Sequence, residues 1–351
     1  MKIHDISTPA LLVHLNEMEW NLHTMASFFA ARACRLRPHF KNHKAPLLAW
    51  KQIRVGALGM TCATVREAEI LVQHGFEDIL IANEIAGEEK PRQLAELSRM
   101  ASVKIAVDNS ASIRDLAAAQ RNAGTQIQIL VDVNIGMNRC GVQPDAIAEL
   151  ARYAHEQGLA VRGVMGYDGH LQVQSPSPER DEIVRQGSAV LSQAARTLKG
   201  MGLDIGIVST GGTGTYAVSG DYDGITEIQA GSYLLMDTSY TARHAPFRRA
   251  LTILSTVIST RGSAFGVLDC GIKAISGERG LPVLRDLPGA QVTALHAEHA
   301  LVELDPRQHL KLSPGQKVEL WVHYSDGTVN LHNCMYGVRN ESIEEVFRVE
   351  H

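Results

Sequence analysis

The chain has 351 residues, 45% of them hydrophobic and 21% charged, which is the make-up of a globular protein long enough for one large and one smaller domain. A net charge of −4 gives no electrostatic case for nucleic acid or an anionic membrane. No apolar run is long enough to span a bilayer, and Met1-Lys2-Ile3-His4-Asp5 lacks a signal-peptide pattern, so a cytoplasmic protein is expected. The five cysteines are scattered without a CxxC pair, which points to reduced thiols and away from a disulfide framework or a thiolate zinc site.

In chain order, eight short β-rich runs are expected as strands: Leu36–Lys41, Leu58–Ala63, Asp78–Asn83, Val103–Asp108, Ile127–Val133, Val161–Tyr167, Ile205–Gly211 and Glu227–Tyr233. Between them lie segments with apolar residues at three- and four-residue intervals, such as Thr64–His74, Ala111–Asn122 and Pro144–Gln157. Eight strands separated by helices imply parallel pairing and closure into a (β/α)8 TIM barrel, an α/β fold. An open doubly wound sheet is the alternative, and the missing GxGxxG fingerprint after the first strand weakens it. After about Ala245 the texture changes. Leu251–Thr260, Phe265–Cys270, Ala290–Glu303, Lys317–Val322 and Thr328–Arg339 read as strands of a C-terminal antiparallel β-domain. The expected boundaries are 10–244 for the barrel and 245–351 for the β-domain, with residues 1–9 joining the latter.

Barrel enzymes place their chemistry at the C-terminal strand ends. The first strand runs into Arg37-Pro38-His39-Phe40-Lys41-Asn42-His43-Lys44, where a lysine among other cations can attack an aldehyde. A solvated basic loop is an equal reading of that segment alone. The fifth strand leads to Arg139 in Gly136–Gly141, and the sixth to Tyr167 and His170. The seventh opens into Ser209-Thr210-Gly211-Gly212-Thr213-Gly214-Thr215, and the eighth into Gln229-Ala230-Gly231-Ser232. Two glycine-bearing turns after strands seven and eight, opposite a strand-one lysine, fit a phosphorylated aldehyde cofactor.

At this point the sequence resembles the fold type III pyridoxal-phosphate enzymes, in the branch of D-threonine aldolase and D-serine dehydratase, related to alanine racemase. The likeness runs through Thr8–Leu11, RPHFKNHKAP (Arg37–Pro46), ATVREAE (Ala63–Glu69), GMNRCGV (Gly136–Val142), GYDGHLQ (Gly166–Gln172), GGTGTY (Gly211–Tyr216), QAGSYLLMD (Gln229–Asp237) and TVNLH (Thr328–His332). It implies that Lys41 carries pyridoxal 5′-phosphate as a Schiff base, that Arg139 faces its phenolic oxygen, and that Tyr167 lies against its ring. It further implies that Thr210, Gly211, Gly231 and Ser232 cradle the phosphate, with Gln229 at the ring nitrogen where racemases place an arginine. The branch holds a divalent cation through a His-x-Cys or His-x-Asp pair before a TVNL segment, and here His323 and Asp326 are the candidates, one residue further apart. On a regular strand they would face opposite sides, so a turn at Ser325-Asp326-Gly327 is required. His332 and Cys334 are a weaker pair. An oxygen ligand shifts preference toward Mn or Mg relative to Zn.

The resemblance thus implies a metal-activated lyase of D-β-hydroxy-α-amino acids, most simply a D-threonine aldolase. A dehydratase acting on D-serine or D-3-hydroxyaspartate is the alternative. A racemase is disfavoured by Gln229 and the metal pair, and a non-catalytic pyridoxal-phosphate protein by the residues after Ala245. A homodimer is implied. His39 and His43 flank Lys41 and share its side of an extended strand end, or else hold the backbone by hydrogen bonds.

Overall fold

The computed structural model describes residues 1–240, 246–262 and 264–351, so the expected boundary between 244 and 245 lies outside the described residues. The chain divides into two compact units, one of Met25–Lys41 and Ala49–Gly231, the other of Met1–Thr24, Asn42–Leu48 and Ser232–His351. The first strand, β1 (Ala10–His14), belongs to the second unit.

The first unit is built on eight strands: β2 (Arg35–Leu36), β3 (Met60–Cys62), β4 (Asp78–Ile81), β5 (Ser102–Val107), β6 (Gln128–Asp132), β7 (Ala160–Met165), β8 (Ile207–Thr210) and β9 (Glu227–Ile228). They run in the order β2-β9-β8-β7-β6-β5-β4-β3, every pair parallel. The two ends of that order meet through Leu58 N–H to Leu36 O at 2.8 Å and Thr61 N–H to Pro38 O at 2.8 Å, which closes the barrel. Each of the eight expected runs overlaps one of these strands, and β2, β5 and β7 begin one residue before theirs. The first and last are much shorter than expected. Beyond β2 the Arg37 N–H still bonds the Ile228 carbonyl at 2.9 Å and the His39 N–H the Ala230 carbonyl at 3.3 Å, before a 3-10 turn over Phe40–Asn42.

The helices between strands start where their caps put them. Thr64 accepts the Glu67 N–H at 3.1 Å while Glu67 accepts the Ala63 N–H at 2.7 Å, starting the helix Val65–Gln73. Asn109 starts Ser110–Ala123, and Gly124 ends it at φ 63°. Leu80, Ala106, Leu130 and Met165, one from each of β4 to β7, form a buried apolar cluster.

Toward the N-terminal strand ends the barrel instead carries charge. Arg37, 1% exposed, bonds both Glu227 oxygens (2.9 and 2.8 Å) and both Asp78 oxygens (2.9 and 3.1 Å). Lys104 Nζ donates to Asp78 at 2.6 Å. A Cβ at residue 59 would stand 2.4 Å from Arg37 Nη1, which is why glycine is there. This arginine of the RPHFKNHK motif is a structural group.

The second unit holds a mixed sheet ordered β13-β14-β11-β10-β1-β16-β17, with β15 on β10 and β12 on β15. Its strands are β10 (Leu251–Arg261), β11 (Phe265–Leu268), β12 (Val283–Leu284), β13 (Ala290–Leu295), β14 (Ala300–Leu304), β15 (Lys317–Trp321), β16 (Cys334–Arg339) and β17 (Ser342–Arg348). All pairings are antiparallel except β1 with β16. Two expected strands change. Ala290–Glu303 is a hairpin of β13 and β14, since the His296 N–H bonds the His299 carbonyl at 2.8 Å across a turn. Thr328–Arg339 is a strand only from Cys334, because Ser325–Val329 is a short helix. Asp237 starts that helix by accepting both the N–H and the hydroxyl of Ser325 at 2.8 Å, and Thr328 donates back to the Tyr324 carbonyl.

On this sheet Glu319 meets His14 at 2.9 Å, Arg285 at 2.9 Å and Thr252 at 2.9 Å. Burial opposes its ionisation, but the bond and charge of His14, then Arg285 and Thr252, outweigh it and hold the carboxyl down to about 2. A folded value below the unfolded one (~4.3) gives stability that is complete above pH ~4.3 and fades as pH falls toward about 2. We expect acid titration of stability to show this component in the wild type and to lose it in Glu319→Gln. Parallel acid curves for the two proteins would contradict it.

Candidate active site

In the barrel unit, the residues expected to carry chemistry follow the C-terminal ends of the strands. Lys41 sits in the 3-10 turn after β2 and not on an extended strand. Its backbone N–H points to His39 Nδ1 at 3.4 Å. The extended-strand arrangement of His39 and His43 around Lys41 is therefore corrected. In the other unit His43 Nδ1 likewise accepts the Ala45 N–H at 3.1 Å, so both imidazoles hold backbone. Phe40, fully buried, anchors the turn and leaves the lysine side chain half-buried.

Arg139 lies in a loop pinched between Val133 and Val142, which form a parallel bridge. Asn134 Oδ1 accepts the N–H groups of Gly136 (3.0 Å) and Asn138 (3.2 Å), and Asn138 takes a left-handed φ of 55°. At Gly141, φ 94°, a Cβ would fall 2.7 Å from the Asn134 nitrogen. The GMNRCGV motif is thus the recipe for a loop that presents an arginine. Lys41 Nζ is 5.9 Å and Arg139 Cζ 5.7 Å from the centre of the Tyr167 ring, so two cations meet at one aromatic face or edge. Gly169 makes room for that ring, since a Cβ there would be 2.6 Å from Tyr167 Cε1.

Thr210 ends β8 with its hydroxyl donated to the Gly166 carbonyl at 2.8 Å. Gly211 follows with φ 70°, beginning a turn in which Gly212 and Gly214 have no space for a side chain against Gln172. Gln229, after β9, is buried and donates to Ser209 Oγ at 3.0 Å. Gly231 closes this unit, and Ser232, at the start of the other, accepts the Met236 N–H at 2.7 Å. An amine, a guanidinium, an aromatic ring, a neutral amide and a side-chain-free turn fit the aldehyde, phenolic oxygen, ring, ring nitrogen and phosphate of pyridoxal phosphate.

The expected metal pair lies in the β-sheet unit. His323 follows β15, with Nδ1 2.7 Å from Thr238 Oγ1, and its ring fills the place a Cβ of residue 280 would need. Asp326 is in the first turn of the Ser325–Val329 helix, and its Oδ1 accepts from Asn42 Nδ2 at 2.6 Å. The required turn is present as that helix. Each candidate has one polar atom held by a neighbour, an orientation that would suit a metal ligand. Asn42 is 1% exposed and its Oδ1 is buried without a partner. His332 points Nε2 at the Ala274 carbonyl (2.7 Å), and burial lowers its pKa, which suits a packing role.

Sequence reading passed over a further group. Among the described residues, Glu84, Asp108 and Cys140, at the ends of β4 and β5 and in the Arg139 loop, bring ligand-type atoms within 4.8 Å of one another. Burial first, then Glu84, raises the Cys140 thiol to about 11, so it stays protonated at neutral pH. Neighbouring Asp132 is pushed up to about 8 by burial, then by Glu84 and Asp108. A run of single acids at consecutive strand ends was the available signal.

A closed parallel barrel with a lysine after its first strand and a glycine turn after its seventh is the architecture of the fold type III pyridoxal-phosphate enzymes. The chain belongs to the family of the alanine racemase N-terminal domain, which matches residues 13–239, and residues 250–338 match a putative serine dehydratase domain. It is 35% identical to a D-threonine aldolase of Arthrobacter sp. over 98% of this chain and 92% of that one. The crystal structure of D-threonine aldolase from Filomicrobium marinum superposes with a TM-score of 0.95 at 34% identity, covering 99% of this chain and 96% of the other. D-threo-3-hydroxyaspartate dehydratase from Delftia sp. HT23 superposes at 0.91 with 26% identity, covering 100% and 99%. A mutant dehydratase of that name is known in a metal-free form. Among the described residues no helix is long and apolar enough to cross a membrane.

Proposed function

We propose that this protein is a metal-activated pyridoxal-phosphate lyase that cleaves the Cα–Cβ bond of a D-β-hydroxy-α-amino acid of the D-threonine kind, releasing glycine and an aldehyde. The observation that carries the reading is Lys41 and Arg139 meeting at Tyr167 in a chain similar to D-threonine aldolases along nearly its whole length. Pyridoxal phosphate, when bound, supplies an aldehyde for the substrate amine and a sink for the electron pair left by bond cleavage. Lys41 would hold the cofactor through its amine. Arg139 would hold an anionic oxygen in place. Gln229, fixed by Ser209, would offer the ring nitrogen a neutral partner. The Gly211–Thr215 turn with Gly231 and Ser232 takes the phosphate. A divalent ion, Mn, Mg or Zn, held by His323 and Asp326 would serve as a Lewis acid on the β-hydroxyl. The cofactor is assigned to residues 10–244 and the ion to 245–351, in a cytoplasmic homodimer whose stoichiometry light scattering would check.

The test offers purified protein D-threonine, D-serine and D-3-hydroxyaspartate, with and without EDTA. Glycine and aldehyde are expected, and EDTA or His323→Ala is expected to remove at least about 90% of both bound metal and activity. Ammonia with a keto acid would make the enzyme a dehydratase. Unchanged metal content in His323→Ala would remove the ligand assignment.

A further inference from the structure

Gln172 ends the GYDGHLQ motif, and nothing in the proposed chemistry gives it a task. It is 4% exposed and sits beneath the Gly211–Thr215 turn. Its Oε1 accepts the Gly214 N–H at 2.8 Å, and its Nε2 donates to Asp168 Oδ1 at 2.6 Å and to Thr215 Oγ1 at 3.0 Å. Thr215 Oγ1 also accepts the Gly212 N–H at 3.2 Å, and its own proton goes to Asp168. The set leaves no freedom in the orientation of the Gln172 amide. Reversing it would place an NH2 against the Gly214 N–H and a carbonyl oxygen against the Asp168 carboxyl.

The turn is fitted to this glutamine sterically as well. A Cβ at residue 212 would lie 2.5 Å from Gln172 Oε1, and one at residue 214 would lie 1.9 Å from the Gln172 carbonyl oxygen. From another direction Arg180, 5% exposed, donates to the Gly214 carbonyl at 2.8 Å. Asp168 is 3% and Thr215 1% exposed, so water cannot replace a lost partner cheaply. Burial raises the Asp168 carboxyl above its ordinary pKa.

We propose that Gln172, braced by Asp168 and Thr215, is the positioning residue for the cofactor phosphate: it holds the Gly211–Thr215 turn in the shape that receives the phosphate, acting through the turn's backbone. This rests on the reading that the turn is the phosphate site. Two of the turn's amides are spent on side-chain acceptors, so its shape is set before any ligand arrives. Such pre-organisation appears as affinity.

The test titrates the full-length chain, freed of cofactor, with pyridoxal phosphate and with phosphate-free pyridoxal, following cofactor absorbance. The wild type is expected to prefer the phosphorylated form. Gln172→Ala should weaken pyridoxal phosphate by about tenfold or more while shifting pyridoxal less than about twofold, the scale of losing one buried hydrogen-bonded group. Thr215→Val should do the same with little change in volume, and Thr215→Ser, which keeps the hydroxyl, should retain the preference. Equal losses for both ligands, or none for either, would overturn the positioning role. A wild type that does not discriminate between them would instead overturn the cofactor reading beneath it.

Discussion

Lys41→Ala is expected to yield a folded protein that retains no covalently held cofactor and turns over at least about a thousandfold more slowly than the wild type. Lys41 supplies the one lysine amine near the Tyr167 ring among the described contacts, 5.9 Å from its centre. The turn that presents it does not depend on its side chain. Phe40 is fully buried, the Lys41 N–H reaches His39, and Thr61 bonds the Pro38 carbonyl. Truncating a half-buried lysine in such a frame should change stability by no more than about 0.5 kcal/mol. Lys41→Arg should fail equally, because a guanidinium is protonated at neutral pH and does not add to an aldehyde. Absorbance of the purified variants, thermal melts and glycine release separate the outcomes. Cofactor retained through denaturation in Lys41→Ala would place the covalent attachment elsewhere.

The barrel was legible because its elements announce themselves locally. A parallel strand buried on both faces reads as a short apolar run, and caps such as Thr64 and Asn109 mark where each helix begins. Strand lengths were less legible. β2 and β9 keep only two regular residues each, although single bonds such as His39 N–H to the Ala230 carbonyl continue beyond them. The expected strand start at Thr328 fell inside the short helix Ser325–Val329, because the determinant of that helix, Asp237, lies 88 residues earlier in the chain. Gln172 escaped notice for the same reason, its partners in the glycine turn being 42 and 43 residues away. Arg37 shows a different limit. Beside Lys41 it looks like part of a basic active-site segment, yet its neighbours are Glu227 and Asp78. Sequence spacing locates a loop well where its determinants are local, as around Arg139, and poorly where a charge serves the barrel itself.

That distinction has a measurable consequence at Arg37. Arg37→Met should destabilise the protein by about 3–5 kcal/mol, the cost of leaving a buried charge unpaired. Glu227 is 2% exposed and is held by Arg37 through two bonds. Asp78 is more open and keeps Lys104 as a partner, so the penalty falls mainly on Glu227. Arg37→Lys should recover little, since an ammonium cannot make the paired bonds to two carboxylates at once. The double variant Arg37→Met/Glu227→Met removes the stranded charge and should regain most of the loss. Acid behaviour gives an independent check. Burial raises the Asp78 carboxyl, but the Arg37 bond and charge, then Lys104, bring it net below its ordinary value. Its contribution is therefore present above the unfolded pKa (~3.9) and is lost as pH falls through the lower folded one, and Arg37→Met should diminish that acid-dependent component. Urea melts at neutral and acid pH would show both effects as shifts in midpoint at constant slope. A single-variant loss below about 1 kcal/mol would mean that water reaches Glu227 and that the barrel does not depend on its arginine.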